Sequence, residues 1–257
     1  MKVLVDSHVH IYKSYDLSLF LSSAFLNFRN AIPEAVESHK FLCLTQSSIN
    51  SPSFEEIYTS LQEINKNYSV SLNDSGMMIA VTEVQNKDTI CLLNGRQFVC
   101  AEGFEILALI YKGRNLDRLP AAEILQELKD QGAIAVLPWS LGKWLGRKGR
   151  QVSALIDAQQ RSPLLLGDIA MRICTIQESY FRQASKLAVR IVAGSDPLQM
   201  NGEEKNVACF FSVYNVGSDF QPDTHHLRKL LTAQDGVIAG KRDSYLKAAL
   251  RWIKTML

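Results

Sequence analysis

The sequence predicts an α/β protein with about seven parallel strands, because short apolar runs alternate with segments of helical pattern. Most of these runs are apolar throughout, which is typical of parallel strands that are covered on both faces. About seven strands are few enough for one closed barrel, and an open, doubly wound sheet is the alternative. The Gly-x-Gly-x-x-Gly pattern of a dinucleotide-binding open sheet does not follow the first strand.

The first part of the chain predicts two strands, each followed by a helix. Residues 3–10 begin with a β-branched apolar run and form the first strand, and residues 18–28 are apolar enough for a helix on a core. The second strand is predicted at 41–44. The second helix, 53–65, opens with Ser53 as an N-cap and with acidic residues in its first turn.

A small antiparallel β insertion is predicted at about 68–104. Short β-type runs occur there between two turn signals, the sequence at 73–76 and the Asn-Gly pair at 94–95. The insertion leads into a main strand at 105–111. No linker, repeat or low-complexity tract interrupts the chain, so we expect residues 1–257 to form one domain with this insertion.

The rest of the chain alternates between helices and strands. Pro120 stands just before the next helix, where a proline is well tolerated. The predicted helices are 121–131, 152–160, 177–187, 223–231 and 242–256. The predicted strands are 133–137, 164–169, 189–193 and 207–213.

The composition indicates a soluble cytoplasmic protein. The 28 Lys and Arg against 26 Asp and Glu give a net charge of +2, which predicts no general affinity for nucleic acid or anionic membrane. The five cysteines are scattered and never spaced as Cys-x-x-Cys, as expected in a reducing compartment. We read no signal peptide and no apolar run long enough to span a membrane.

The end of the first strand carries two histidines at a spacing that suits a metal. His8 and His10 are two residues apart, so their side chains would point the same way from the strand. Two imidazoles directed at one point suit a divalent metal ion. The alternative is that they are two polar residues that finish a strand.

Further polar residues follow other predicted strands. Asp168 and Asp196 stand at two strand ends, and Glu102 and Glu105 flank the start of a third. Each has a structural alternative, because the aspartates could cap helices or loops and the glutamates could be solvated. If strand ends converge, as they do in a barrel, imidazoles and carboxylates together predict a site for a metal that activates water.

The segments DSHVHIY and VAGSDPL resemble the first and last signatures of the metal-dependent hydrolase barrels. Two branches fit, the amidohydrolase-related proteins and the polymerase-and-histidinol-phosphatase (PHP) phosphoesterases, and the β insertion is more like the second. The resemblance implies a distorted TIM-like (β/α) barrel in which His8, His10 and Asp196 bind Zn, Mn or Fe. It also implies Glu105 or Glu102 as a bridging carboxylate.

The chain departs from that pattern in the middle strands, which carry no histidine. Residues 137–139 read Leu-Pro-Trp, where the PHP pattern has His-Pro. Pro197 and Leu198 follow Asp196, where that branch often has Asp-x-His. We therefore expect one metal ion, or none, in place of a full multi-metal centre.

A cationic stretch at 138–150, PWSLGKWLGRKGR, follows one of the predicted strands. Lys143, Arg147 and Arg150 lie there among glycines that allow close backbone approach, and Arg172 could join them. A solvated surface is the alternative, but the position beside the predicted site favours binding of a phosphate or carboxylate.

Together these features predict a metal-dependent hydrolase of a small anionic substrate, with a phosphoester as the leading candidate. Asp168 or Glu105 would serve as a further ligand or general base. The alternatives are a barrel that has lost catalysis and acts as a binding or scaffold protein, and an amidohydrolase that cleaves a C–N bond. Nucleic acid is not expected as a partner, and the oligomeric state stays open.

Overall fold

The computed structural model describes residues 1–32, 37–47, 50–64, 67–158, 164–173, 175–233 and 235–254. Within these ranges the chain forms two β-sheets and seven α-helices. The strands are β1 Lys2–Val9, β2 Ser38–Leu44, β3 Tyr68–Leu72, β4 Met78–Glu83, β5 Thr89–Leu93, β6 Gly95–Val99, β7 Glu105–Leu109, β8 Ile134–Pro138, β9 Leu164–Ile169, β10 Ile191–Gly194, β11 Phe210–Asn215 and β12 Val237–Gly240. The helices are α1 Leu17–Ala31, α2 Phe54–Glu63, α3 Ala121–Asp130, α4 Gly146–Asp157, α5 Glu178–Lys186, α6 Thr224–Ala233 and α7 Tyr245–Lys254.

Both sheets mix parallel and antiparallel strands. The first sheet has seven strands in the order β12-β11-β1-β2-β5-β4-β3, and only β1, β2 and β5 are parallel neighbours. The second sheet has five strands in the order β10-β9-β8-β7-β6, and only β10, β9 and β8 are parallel neighbours. Each sheet therefore has a parallel core of three strands with antiparallel strands added to it.

The predicted closed barrel of about seven parallel strands is wrong. In a barrel β1 and β10 would be joined by a ladder of hydrogen bonds, but β1 already pairs with β2 on one edge and with β11 on the other. Strands β7 and β11 run antiparallel to their neighbours. A strand that is buried on both faces has the same apolar composition in either direction, so the sequence pattern did not reveal this.

The predicted β insertion is divided between the two sheets. Strands β3, β4 and β5 are antiparallel neighbours, as the turn at 73–76 predicts, and β5 also pairs in parallel with β2. Strand β6 belongs to the other sheet. The Asn-Gly pair at 94–95 is thus not a hairpin turn, because the chain passes there from one sheet to the other.

Gly95 is required at this crossing because the backbone of two other strands lies against it. A Cβ atom at this position would lie 2.4 Å from the carbonyl oxygen of Leu44 and 2.6 Å from that of Ala108. Such distances are far below van der Waals contact, and backbone atoms cannot rotate away as a side chain does. The two sheets can approach at β6 because residue 95 has no side chain.

Helix α2 begins with a complete capping box. The Ser53 hydroxyl accepts a hydrogen bond from the Glu56 N–H, and the Glu56 carboxylate accepts one from the Ser53 N–H. Pro120 precedes α3, where the Glu102 carboxylate accepts a hydrogen bond from the Ala121 N–H. The starts of α2 and α3 were both predicted correctly from the sequence.

After residue 200 the chain differs from the prediction in one strand that was not predicted, β12, and in the starts of β11 and α7, which each lie three residues later than predicted. Strand β12 is short and largely exposed, so it lacks the apolar run that identified the other strands. Helix α7 begins at Tyr245, three residues after the predicted start, and residues 255–257 lie outside the described part, as does Cys174. In the ranges that the structure describes, no helix has the length and apolar character needed to cross a membrane.

We predict that Gly95→Ala destabilises the protein while Gly142→Ala does not. The added methyl group at residue 95 must displace backbone, and such overpacking typically costs about 1–3 kcal/mol. Residue 142 is a suitable control, because a Cβ atom there would meet nothing within 4 Å. Chemical denaturation of both variants would measure the difference. Equal free energies of unfolding would show that the close approach at β6 is not real.

Candidate metal centre

Two histidines and one aspartate converge at the end of β1. The Nε2 atoms of His8 and His10 are 3.0 Å apart. The Asp196 Oδ1 atom lies 3.5 Å from the Nε2 of His8 and 3.7 Å from that of His10. One ligand atom from each of the three residues therefore lies within 4.8 Å of the others. We call these three residues the His–His–Asp cluster.

Gly194 brings the end of β10 against β1, which places Asp196 beside the histidines. A Cβ atom on Gly194 would lie 2.4 Å from the Cβ of His8 and 2.6 Å from its backbone nitrogen. Two residues further on, the Asp196 N–H donates a hydrogen bond of 2.9 Å to the His8 carbonyl. The aspartate has a left-handed backbone, with φ of 47°, so the chain turns sharply there.

The buried carboxylate of Asp6 holds the contact between the end of β10 and strand β1. Its two oxygens accept hydrogen bonds of 2.9 Å from the N–H groups of Ser195 and Ala208, and a further one from the Ser195 hydroxyl. The His8 N–H is also within reach, at 3.3 Å. Burial raises the pKa of Asp6 to about 7, although these hydrogen bonds act in the opposite direction. One side chain of β1 therefore holds two separate loops.

The cluster favours imidazoles that are neutral. Burial lowers the pKa of His8 to about 4 and that of His10 to about 3, so both rings are neutral at pH 7. Burial also raises the pKa of Asp196, which His10 and Arg251 partly offset. Among the described residues neither Nδ1 atom has a hydrogen-bond partner. Two neutral imidazoles and a carboxylate are a donor set that suits Zn²⁺, Mn²⁺ or Fe²⁺.

A chain of polar side chains connects the cluster to Glu105 and Lys143. The Gln97 Oε1 atom is 3.2 Å from the Nε2 of His8, and its Nε2 donates to Glu105 at 3.1 Å. Glu105 also forms an ion pair with Lys143. The structure thus brings two of the predicted site residues close to the histidines. Gln97 was missed, because a single glutamine in a short strand has no distinctive sequence signal.

Arg251 holds the loop that carries Asp196. From helix α7 its guanidinium donates a hydrogen bond of 3.0 Å to the Asp196 carbonyl and forms ion pairs with Glu203 and Asp243. The arginine is buried, and these acidic partners raise its pKa despite the cost of burial. Arg251 was not predicted as a site residue, because on an amphipathic helix a buried arginine has the same sequence pattern as an exposed one.

Asp168 and Arg172 form a separate cluster. The Asp168 carboxylate accepts hydrogen bonds from Arg172, at 2.6 and 2.9 Å, and also from Arg242. The Arg172 guanidinium lies over the ring of Phe181, 3.9 Å from its centre. The contacts that join the His–His–Asp cluster involve none of these side chains. The roles predicted for Asp168 and Arg172 therefore stay predictions, without support from this geometry.

The other predicted residues lie elsewhere. Arg147 and Arg150 are exposed in the first turns of α4, and Glu102 caps α3. Two further histidines that were not predicted to belong to the site, His225 and His226, lie at the start of α6, where the His226 ring contacts Asp223 at 2.9 Å. Of the cationic stretch 138–150, Lys143 is the residue that contacts a member of the polar chain at the cluster.

The fold is similar to that of two solved structures. PsfC from Pseudomonas syringae PB-5123 matches with a TM-score of 0.62 and 13% identity, over 99% of this chain and 97% of that one. The lesion-specific endonuclease PfuEndoQ from Pyrococcus furiosus matches with a TM-score of 0.50 and 13% identity, over 95% of this chain and 60% of that one. No protein-family model and no curated protein matches the sequence. At these identities the comparisons show a shared fold.

We predict that Asp168→Asn lowers the free energy of unfolding by about 3 kcal/mol at pH 7, because the buried Arg172 and the half-buried Arg242 lose this counter-charge. Burial opposes ionisation, but hydrogen bonds from Arg172 and Arg242 lower the pKa of Asp168 below its usual 3.8. The stabilisation is therefore complete above about pH 4 and disappears as the pH falls through the folded-state pKa.

Denaturation of both proteins between pH 7 and pH 3 would measure this difference. The exposed Asp130→Asn serves as the control, with an expected change below about 0.5 kcal/mol. A difference that does not shrink in acid would contradict the assignment to an ionised Asp168.

Proposed function

We propose that this protein is a metal-dependent hydrolase of a small anionic substrate, with a phosphoester as the bond that is cleaved. The observation that carries the proposal is the His–His–Asp cluster, in which two neutral imidazoles and a carboxylate face one point. The fold shared with a lesion-specific endonuclease, an enzyme that acts on a phosphodiester backbone, supports the same class of reaction.

In this proposal His8, His10 and Asp196 hold one divalent metal ion. When bound, such an ion supplies a water molecule of lowered pKa and stabilises negative charge on a phosphoryl oxygen. The burial that keeps the imidazoles neutral also keeps bulk water from competing for their lone pairs. Asp6 and Arg251 are positioning residues, since they hold the backbone on both sides of Asp196.

Lys143 and Glu105 are the groups that would act on substrate and protons. The Lys143 ammonium is partly exposed, and Glu105 and Gln97 connect it to the histidines. It can therefore bind the negative charge of the substrate. Glu105 is largely buried beside it and can hold a proton from the attacking water or for the leaving group. Gln97 orients Glu105, to which its amide N–H donates, and its Oε1 atom lies 3.2 Å from the Nε2 of His8.

A catalytically inactive binding protein is the second candidate, because the cluster contains three ligands in the described residues and has no histidine from the middle strands. Metal binding with no hydrolysis of any phosphoester would favour it. Cleavage of an amide instead of a phosphoester would favour the amidohydrolase alternative. The substrate panel should therefore contain phosphomonoesters, a phosphodiester, an oligodeoxynucleotide and simple amides.

The first test of the proposal is metal content. We expect purified protein dialysed against Mn²⁺, Zn²⁺ or Fe²⁺ to retain about one ion per chain, and His8→Ala, His10→Ala and Asp196→Asn to weaken binding at least about tenfold. His39→Ala and His226→Ala are matched controls outside the cluster and should retain the metal. Elemental analysis and titration calorimetry provide the readout. Wild-type protein that binds none of these ions would refute the metal site.

The second test separates Lys143 from the exposed arginines of the same stretch. If the Lys143 ammonium binds the substrate anion, Lys143→Ala raises KM about tenfold or more, which corresponds to loss of a charge-assisted hydrogen bond. Arg147→Ala and Arg150→Ala remove equal charge from the surface of α4 and should leave KM unchanged. Similar effects of all three would show that the stretch acts through its overall charge instead.

A further inference from the structure

A polar cavity separate from the candidate metal centre lies between the start of α2, strand β6 and the segment that follows β7. Its volume is about 350 Å³, enough for a small phosphorylated molecule. Ser53, Phe54 and Glu55 line one side, and Asn94, Arg96 and Lys112 line the other. No member of the His–His–Asp cluster contributes to its wall.

Strand β6 separates this cavity from the candidate metal centre. Adjacent residues of a strand point to opposite faces, so Arg96 and Gln97 have opposite directions. The Gln97 side chain contacts His8, whereas Arg96 lines the cavity. A ligand in the cavity would therefore touch the reverse side of a strand that serves the metal centre.

Asn94 is a largely buried residue whose side-chain amide has no protein partner among the described residues. The residue is only 8% exposed. Its backbone N–H donates to Met77, and its carbonyl accepts from Tyr111, so its main chain is satisfied. Neither atom of its side-chain amide forms a hydrogen bond within the described ranges, and both are open to solvent. Asn94 lines the cavity, where a ligand could supply the missing partner.

The cavity also collects hydrogen-bond donors without acceptors. Within the described ranges, the Arg96 guanidinium has no carboxylate or other acceptor, and the backbone N–H groups of Phe54 and Glu55 have none either. These two N–H groups belong to the first turn of α2, where the helix dipole favours an anion. Lys112 adds a second positive charge, and its ammonium lies 4.0 Å from the exposed Glu55 carboxylate.

We propose that this cavity binds the phosphate group of a small phosphorylated molecule. The free N–H groups of Phe54 and Glu55 and the Arg96 guanidinium would bind the phosphate oxygens, and Asn94 would bind a neutral polar group next to it. A phosphate fits better than a carboxylate, because its three terminal oxygens can use donors that come from a helix and from a strand. Glu55 and Glu56, which also line the cavity, oppose binding of an anion.

Amide chemical shifts on the wild-type protein provide the first test. In EDTA, which removes metal ions, titration with inorganic phosphate should move the amide signals of Phe54 and Glu55 and the side-chain amide signals of Asn94. Because metal is absent, this result is independent of the proposed hydrolase activity. Shifts confined to residues around His8, or no saturable shifts at all, would overturn the proposal.

Substitutions provide the second test. Arg96→Gln should weaken phosphate binding about tenfold or more, as expected for loss of a charge-assisted hydrogen bond, and Glu55→Gln should tighten it. Arg114→Ala removes a nearby exposed charge outside the cavity and should have no effect, and neither should His8→Ala. Because Arg96→Gln could disturb folding, circular dichroism is recorded for each variant. Glu55 is exposed, so the tighter phosphate binding expected for Glu55→Gln is a second test that does not depend on the Arg96 variant. If Glu55→Gln weakens binding or Arg96→Gln leaves it unchanged, the proposal fails.

Discussion

The buried carboxylate of Asp6 is the constraint on which the candidate metal centre depends. Four donors surround it, and they come from β1 itself and from two loops near residues 195 and 208. A buried carboxylate without donors would cost several kcal/mol, so the loops cannot leave it freely. This one side chain, in the strand that carries the histidines, fixes the loop that carries Asp196.

The two sheets share a buried apolar cluster, and they approach most closely where two glycines leave room. Gly194 lets β10 lie against His8, and Gly95 lets β6 lie against β2 and β7. The junction is completed by single hydrogen bonds, such as that from the Ser7 hydroxyl to the Ala193 carbonyl. A continuous ladder of backbone hydrogen bonds between β1 and β10 would have joined the two sheets into one. Contacts of this kind instead leave room for polar side chains between the sheets.

The sequence predicted most helices and strands, because apolar periodicity reports burial directly. It also predicted that His8, His10 and Asp196 share one candidate site, because they lie at strand ends and because the segments that contain them resemble a known family. It did not predict strand direction, since β7 and β11 are as apolar as parallel strands would be. It could not show that Gln97 and Arg251 serve the site, because partners distant in the chain give polar residues their roles.

Arg251 has a consequence for the order in which the molecule is completed. The arginine that holds the Asp196 loop is more than 240 positions after the histidines, so the cluster needs residues from both ends of the described chain. During synthesis the strand with the two imidazoles emerges long before helix α7. A nascent chain would thus expose two unpaired imidazoles with no fixed carboxylate beside them, and binding of an ion at the proposed site would have to wait until helix α7 has been synthesised.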